Sequence, residues 1–350
     1  ARKRAASGGV KRRALLVGAI LMPTTARAQT GHQSKRPLKA PAKPPTKAPA
    51  PPPPAEARTQ LVAFNSSAFP YRGVLPGTTK PFLDARDDKR RGHTNGRGEV
   101  YWEDTTYSDR RSLLYLPPGF NSARPVLMVI YLHGQGATLE RDVAARQAVP
   151  RQVAESGLNI ALVAPQLAVD AIDSSAGNFW RGGHFAKFID ESSERLMRLY
   201  GARSAGRAFN LAPVVIVAYS GGYVSAAYAL ERGGANHRIN GVILMDALYG
   251  EEAKFAAWFA ARRRQAFLLS AYTDSTRAEN ALLQALLAKR RIPYSRSLPR
   301  TLSPGTAAFV PCGGLDRHAG FMTHAWQADP LEDALSRIPG YAPVHDKKRA

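Results

Sequence analysis

The stretch that decides the fold is residues 213–223, which read PVVIVAYSGGY. Its first seven residues form an unbroken apolar run, as expected of a strand buried on both faces of a parallel sheet. Ser220 follows at once, and the small residues at 224–230 (VSAAYAL) predict a helix directly after the turn. Because strand and helix nearly touch in so sharp a turn, the positions two before and two after the serine must be small. Ala218 and Gly222 meet that need, which places Ser220 at the apex of a strand–turn–helix unit.

Five further apolar runs lie on either side of this unit, and segments with helical periodicity separate several of them. The runs are 125–132, 159–164, 241–245, 266–272 and 306–311. Their alternation with helices predicts an α/β fold with a mostly parallel central sheet flanked by helices. Residues 98–120 are expected to form antiparallel edge strands that precede this core.

The turn at Ser220 matches the G-x-S-x-G pattern of a nucleophile elbow, with alanine at its first position. The strand predicted at 125–132 leads into an HG-x-G loop at 133–136 (HGQG), and LPPGF at 116–120 precedes that strand. By these motifs and their order, the chain resembles the α/β-hydrolase superfamily, secreted serine esterases in particular, over residues 98–340. The resemblance implies an α/β-hydrolase fold and a serine nucleophile at position 220.

The resemblance also implies an oxyanion hole, a set of donors that stabilises the negative oxygen formed during acyl transfer. The expected donors are the backbone amides of Gly221 and Gln135. Gly134 is the second choice for the donor in the HG-x-G loop.

A serine hydroxyl is a poor nucleophile near neutral pH and needs a neighbouring base held by a third group. In the superfamily the acid and then the histidine follow the serine along the chain. His318, His324 and His345 lie near or after the last predicted strand. We choose His318 as the base, because a glycine-bearing loop lets it reach back over the serine. His324, in a segment expected to be helical, is the alternative base.

Two aspartates that each follow a predicted strand compete for the role of the triad acid. Asp246 ends the unbroken apolar run 241–245, where an unpaired carboxylate would be costly to bury, so it has the stronger need for an imidazole partner. Asp274 follows the run 266–272 and precedes Ser-Thr-Arg, so it can equally cap the next helix. We choose Asp246 and keep Asp274 as the alternative acid.

The sequence also indicates which segments surround the site. Only residues 247–265 separate the strands on either side of the Asp246 loop, so no large cap domain is expected and the site should be fairly open. The long loop 165–184, which holds Phe179 and Trp180, and the segment 61–100 are the expected walls. The single cysteine and the lack of H-E-x-x-H, Walker A and G-x-G-x-x-G motifs predict neither a metal site nor a cofactor.

The 350-residue chain carries a net charge of +22, which raises the question of nucleic-acid binding. Residues 1–60 hold 13 lysines and arginines against one acid, so more than half of the excess lies in the first sixth of the chain. The basic runs at 262–264 and 289–291 have no interleaved aromatic residues. A nucleic-acid partner is therefore not predicted.

The first 28 residues have the order of a secretory signal: a basic start, an apolar run at 14–22 and an Ala-x-Ala site ending at residue 28. Arg12-Arg13 before the apolar run also fits a twin-arginine export signal, and general secretion is an equal alternative. Residues 37–54 contain nine prolines, so 29–60 is expected to be a disordered spacer. Its lysines offer weak electrostatic contact with an anionic cell envelope.

The sequence thus predicts a signal segment at 1–28, a spacer at 29–60 and a catalytic domain at 61–350, in a periplasmic or secreted protein. The predicted activity is hydrolysis of a small-molecule carboxylic ester through a Ser-His-Asp triad and an acyl-enzyme. A peptidase or a polyester depolymerase could use the same triad. A non-catalytic envelope-binding protein of the same fold is the alternative from another class.

Overall fold

An eight-stranded sheet forms the centre of the protein in the computed structural model, which describes residues 54–314 and 318–341. The predicted signal segment, the spacer up to residue 53 and His345 lie outside the described residues. Numbered in chain order, the strands of this sheet are β1 (Arg58–Ala63), β5 (Arg111–Leu116), β6 (Leu127–Leu132), β7 (Ile160–Pro165), β8 (Val214–Tyr219), β9 (Ile239–Met245), β10 (Phe267–Tyr272) and β11 (Ala307–Pro311). A second sheet contains β2 (Ala85–Arg86), β3 (Arg91–Thr94) and β4 (Val100–Trp102).

The strands of the large sheet lie in the order β1-β5-β7-β6-β8-β9-β10-β11. The six strands from β7 to β11 in this order run parallel to one another, whereas β1 and β5 are antiparallel to their neighbours. The predicted α/β fold with a mostly parallel sheet is therefore confirmed. Each of the six apolar runs forms one of the parallel strands.

The prediction for residues 98–120 is only partly right. β5 is antiparallel as expected, but β1 lies outside it and forms the edge of the sheet. β4 belongs to the second sheet and is followed by a short helix, α1 (Glu103–Thr106). β1 starts at Arg58, three residues before the predicted start of the catalytic domain, and only half-buried or exposed side chains make up the strand.

Side chains alternate between the two faces of the large sheet, and each face has its own buried core. The first core is covered by α3 (His184–Tyr200), α4 (Gly206–Leu211), α5 (Tyr223–Arg232), α6 (Glu252–Arg262) and α7 (Arg277–Lys289). The second is covered by a π-helix (Leu139–Arg146), α2 (Val149–Glu155), α8 (Phe321–His324) and α9 (Pro330–Ser336). Helices on both faces leave the carboxyl edge of the parallel strands open for functional loops.

Aromatic rings tie the segment at 64–107 to the loop that follows β7. Phe82 contacts the rings of Tyr107 at 5.0 Å and Trp180 at 5.7 Å between centroids. Tyr71 meets the same tryptophan edge-on at 5.5 Å. Because these rings are buried, the segment holds the β7 loop in place from one side.

Candidate active site

Ser220 lies at the apex of the predicted turn, between β8 and α5. Its φ of 50° is in the left-handed region, where residues other than glycine are strained. A Cβ at Gly222 would lie well under 3.0 Å from the main-chain oxygen of Leu132, so only glycine fits where the turn passes β6. The sharp turn lifts the serine side chain out of the sheet at the carboxyl edge.

Two short hydrogen bonds join the serine, a histidine and an aspartate. Ser220 Oγ lies 2.9 Å from His318 Nε2, and His318 Nδ1 lies 2.6 Å from Asp246 Oδ2. Asp246 directly follows β9 and is fully buried, whereas the imidazole is partly exposed. In this arrangement one ring nitrogen can take the serine proton while the carboxylate holds the other.

Donors from the turn after β10 surround the Asp246 carboxylate. Thr273 donates to both oxygens, through its N–H at 2.9 Å and its hydroxyl at 2.8 Å. The hydroxyls of Thr276, at 2.8 Å, and Ser275, at 3.1 Å, add two more bonds. Burial raises the pKa of Asp246, but the hydrogen bonds from His318, Thr273 and Thr276 outweigh it and leave the pKa below its ordinary value. The carboxyl group is therefore charged beside the imidazole at neutral pH.

Two tyrosines that sequence reasoning missed hold the His318 ring. Tyr219 stacks on it at 5.5 Å between centroids, and the tyrosine hydroxyl donates to the His318 main-chain oxygen at 2.8 Å. Tyr249 meets the ring edge-on at 5.9 Å, with its hydroxyl 3.2 Å from Nδ1. The only signal for them was their position, next to the serine and three residues after Asp246.

Tyr219→Phe is expected to lower kcat/KM for a short p-nitrophenyl ester by about 5-fold, the rate equivalent of one lost hydrogen bond of ~1 kcal/mol. The substitution keeps the stacked ring and removes only the bond to the His318 main chain. Steady-state kinetics of the purified variant measure the loss. Tyr115→Phe, the same change in β5, should leave kcat/KM unaltered. If Tyr219→Phe also leaves kcat/KM unaltered, this result would contradict a role for the Tyr219 hydroxyl in positioning the imidazole.

The structure brings neither alternative residue to the serine. Asp274 is exposed and pairs with Arg277 one turn further along the chain. His324 is exposed in α8, where its Nδ1 lies 2.9 Å from Thr323 Oγ1. His318, the first choice for the base, contacts Ser220. Asp246, the first choice for the acid, contacts the His318 imidazole through its buried carboxylate.

The HG-x-G loop after β6 lies against the turn at the serine. A Cβ at Gly134 would lie 2.8 Å from Ser220 Cβ, and a Cβ at Gly221 would lie 3.3 Å from the Gln135 main-chain nitrogen. Neither the Gly221 amide nor the Gln135 amide donates to an acceptor among residues 54–314 and 318–341. Two such amides beside a serine hydroxyl can stabilise a negative oxygen.

His133 holds this loop from inside the protein. Its Nδ1 donates to the Gly134 main-chain oxygen at 2.7 Å, and its Nε2 accepts the Leu167 N–H at 2.8 Å. Burial lowers the pKa of His133 to about 4, so the ring is neutral at pH 7, as an accepting Nε2 requires. The motif indicated the loop, but not that its histidine joins the loop to the chain after β7.

The loop after β7 lines the other side of this region, as predicted for a wall. The Gly136 N–H donates to the Ala171 main-chain oxygen at 2.8 Å, and Gln135 Nε2 donates to Ser174 Oγ at 2.9 Å. The first part of the loop, up to Ser174, therefore lies beside the expected oxyanion donors.

Residues 64–107 brace the outer side of the same loop. Asn95 Nδ2 donates to the Ile172 main-chain oxygen at 2.9 Å, and the Tyr107 hydroxyl donates to Asp173 Oδ2 at 2.9 Å. Trp180, by contrast, is buried and packs the loop down instead of facing an open pocket. The segment at 61–100 thus contributes to the wall mainly by supporting the loop.

Two other kinds of site are not found in the part of the chain that the structure describes. No group of three or more histidine, cysteine, aspartate or glutamate side chains there could hold a metal ion. None of the helices there has both the length and the apolar character needed to cross a membrane.

No known family model matches the chain, and no curated protein matches it. Among solved structures, it is similar to the feruloyl esterase module from Clostridium thermocellum at 14% identity and a TM-score of 0.43, over 81% of this chain and 97% of that one. An S-formylglutathione hydrolase from Agrobacterium tumefaciens gives 12% identity and 0.43, over 72% and 97%. Thermogutta terrifontis esterase 2 gives 12% identity and 0.36, over 58% and 77%. At these values the likeness concerns the fold alone.

Proposed function

We propose that this chain, which has the α/β-hydrolase fold, is a serine hydrolase that cleaves small-molecule carboxylic esters. The observation that carries the proposal is the pair of hydrogen bonds, 2.9 and 2.6 Å long, from Ser220 to His318 and from His318 to the buried Asp246. The amides of Gly221 and Gln135, which have no acceptor in the described part of the chain, lie beside the same serine and support it.

The reaction proceeds in two steps. Ser220 Oγ attacks the ester carbonyl carbon while its proton passes to His318 Nε2, and the amides of Gly221 and Gln135 stabilise the negative oxygen. The charged Asp246 stabilises the imidazolium, whose proton then passes to the departing alkoxide and leaves an acyl-enzyme. Water attacks the acyl-enzyme with His318 as the base, which restores the serine and releases the acid.

We infer a substrate group without charge from apolar surface near the triad. Of the described residues, Ile172, in the loop after β7, and Tyr249, beside the imidazole, are among the few large apolar side chains that are exposed, each to 37%. Apolar surface next to a few aimed polar groups is typical of small-molecule sites. Acyl or alkyl groups without charge are therefore the expected occupants.

A fluorophosphonate probe tests the proposal, because it reacts with serines that are activated as nucleophiles. We expect one probe per chain, located on Ser220 by peptide mass spectrometry, together with hydrolysis of p-nitrophenyl butyrate. Ser220→Ala is the matched control and should fold without taking up the probe. A folded wild-type chain that neither binds the probe nor cleaves any ester would contradict the proposal and favour a non-catalytic binding protein. Cleavage of peptides or polyesters without cleavage of small esters would favour the alternative hydrolases.

We also propose, from the sequence alone, that the protein is exported to the periplasm or secreted. The support is the basic start, the apolar run at 14–22 and the Ala-x-Ala site ending at residue 28. The lysines of the spacer at 29–60 are then placed for weak contact with the envelope. Residues 1–53 lie outside the part of the chain that the structure describes.

A further inference from the structure

Ser174 lies beside Gly221 and Gln135, whose amides are the expected oxyanion donors, although neither the triad nor this pair includes it. A Cβ at Gly221 would lie 2.5 Å from Ser174 Oγ and 2.8 Å from Gln135 Cγ. The backbone φ of Gly221 is not in the left-handed region, so backbone strain does not exclude a larger residue there. The nearby atoms of Ser174 and Gln135 exclude it. The absence of a side chain at Gly221 therefore lets the Ser174 hydroxyl approach the turn at the serine.

Gln135 orients this hydroxyl. Its Nε2 donates to Ser174 Oγ at 2.9 Å, which occupies a lone pair of the oxygen and directs the hydroxyl proton elsewhere. Within the described ranges, 54–314 and 318–341, no protein acceptor takes that proton. Ser174 is only half-buried. A donor without an acceptor thus stands next to the two amides of Gly221 and Gln135.

We propose that Ser174 is a third oxyanion donor, a catalytic residue whose hydroxyl donates to the negative oxygen of the tetrahedral intermediate. The inference rests on the proposed function, because it assigns one more residue to the same reaction. Negative charge on the oxygen develops as the tetrahedral species forms, so the donor stabilises that species more than the bound ester. Its removal should therefore lower kcat and leave KM nearly unchanged.

Ser174→Ala is the first test. Removal of one oxyanion donor typically lowers kcat by roughly 100- to 1,000-fold, and for one donor among three we expect about 10- to 100-fold. An alkyl trifluoromethyl ketone, which forms a tetrahedral oxyanion adduct with the serine, should lose affinity by the same factor as kcat/KM. A merely structural role for Ser174 would not link the inhibition constant to the rate in this way.

Two further substitutions isolate the hydroxyl. Ser174→Thr keeps a hydroxyl and should recover most of the activity lost in Ser174→Ala. Ser175→Ala removes the neighbouring hydroxyl, which donates to Asp173 Oδ1 at 2.9 Å, and should stay within about 3-fold of the wild type. An equal loss in Ser175→Ala would show that the loop, and not the Ser174 hydroxyl, carries the effect, and would overturn the proposal.

The contact at Gly221 gives a second, independent test. Gly221→Ala places a methyl group against Ser174 Oγ and should lower kcat/KM by itself. Ser174→Ala removes that oxygen but not the 2.8 Å approach to Gln135 Cγ, so the loss in kcat/KM that it causes should be clearly smaller in the Gly221→Ala background than in the wild type. Such a dependence on the background supports the direct contact. A loss of the same size in both would overturn it.

The experiment separates the failure of this inference from the failure of the proposed function. If the wild type cleaves esters and labels at Ser220, while Ser174→Ala keeps kcat/KM within 2-fold, the third donor is wrong and the hydrolase stands. If the folded wild type neither labels nor cleaves, the proposed function fails, and the inference fails with it.

Discussion

Asp246→Asn should lower kcat/KM for a short p-nitrophenyl ester by roughly 1,000- to 10,000-fold, because loss of the charged triad carboxylate has effects of this size in serine hydrolases. A neutral amide cannot stabilise the imidazolium, and its NH2 group favours the wrong tautomer of His318. The turn after β10 adds to the loss. Thr273, Ser275 and Thr276 donate to both carboxylate oxygens, and an NH2 group cannot accept their hydrogen bonds. KM should change little, since the carboxylate is buried behind the imidazole.

Asp274→Asn is the matched control, since it makes the same chemical change after the neighbouring strand. Asp274 is exposed and paired with Arg277, so kcat/KM should stay within about 2-fold of the wild type. Ser220→Ala sets the background rate for the assay. A large loss in Asp274→Asn with little loss in Asp246→Asn would reverse the assignment of the triad acid.

Gly222→Ala should destabilise the protein by about 3 kcal/mol, at the upper end of what overpacking costs. The added methyl would meet the main-chain oxygen of Leu132 and the carbonyl groups at the end of β6, which are backbone atoms that cannot rotate away. The turn must therefore shift relative to β6. Since β6 leads into the HG-x-G loop, this shift also separates the serine from the Gln135 amide, whereas the Gly221 amide moves with the turn. Denaturant unfolding followed by circular dichroism measures the loss of stability.

Gly182→Ala serves as the control for that substitution. Gly182 has an ordinary backbone φ and no atom within 4 Å of the added Cβ, so the free energy of unfolding should stay within about 0.5 kcal/mol of the wild type. Unchanged stability and ester hydrolysis in Gly222→Ala would contradict the close approach of the turn to β6. Activity should be assayed well below the unfolding transition, so that a loss in rate is not caused by unfolding.

The parallel strands could be predicted because a strand buried on both faces must be apolar at every position. β6 and β8 are of this kind, and each forms an unbroken apolar run in the sequence. β1 could not be predicted in this way, since Arg58, Thr59 and Gln60 are polar and the strand lies at the sheet edge. The strands of the second sheet have two to four residues, which is too short for a period to emerge.

Residues of the candidate site were predictable to the extent that chemistry restricts their type and order. A serine in a tight turn after a strand, followed by an aspartate at a strand end and a histidine near the chain end, is a restrictive pattern. Ser174 and Tyr219 obey no such pattern. Their roles depend on contacts with Gly221 and His318, which lie far away in sequence, and only the folded chain brings these residues together.

The HG-x-G loop, which carries the expected donor Gln135, is bonded on both sides before any ester arrives: His133 holds it from inside, and Ala171 and Ser174 hold it from outside. In enzymes whose substrate must assemble the oxyanion hole, part of the binding energy is used for that assembly, and small substrates that offer few contacts react slowly. Here these bonds already hold the Gln135 loop against the turn at Ser220. Acetyl and other short acyl groups should therefore react as readily as longer ones, and the range of esters is limited by what fits between the walls, not by how tightly it binds.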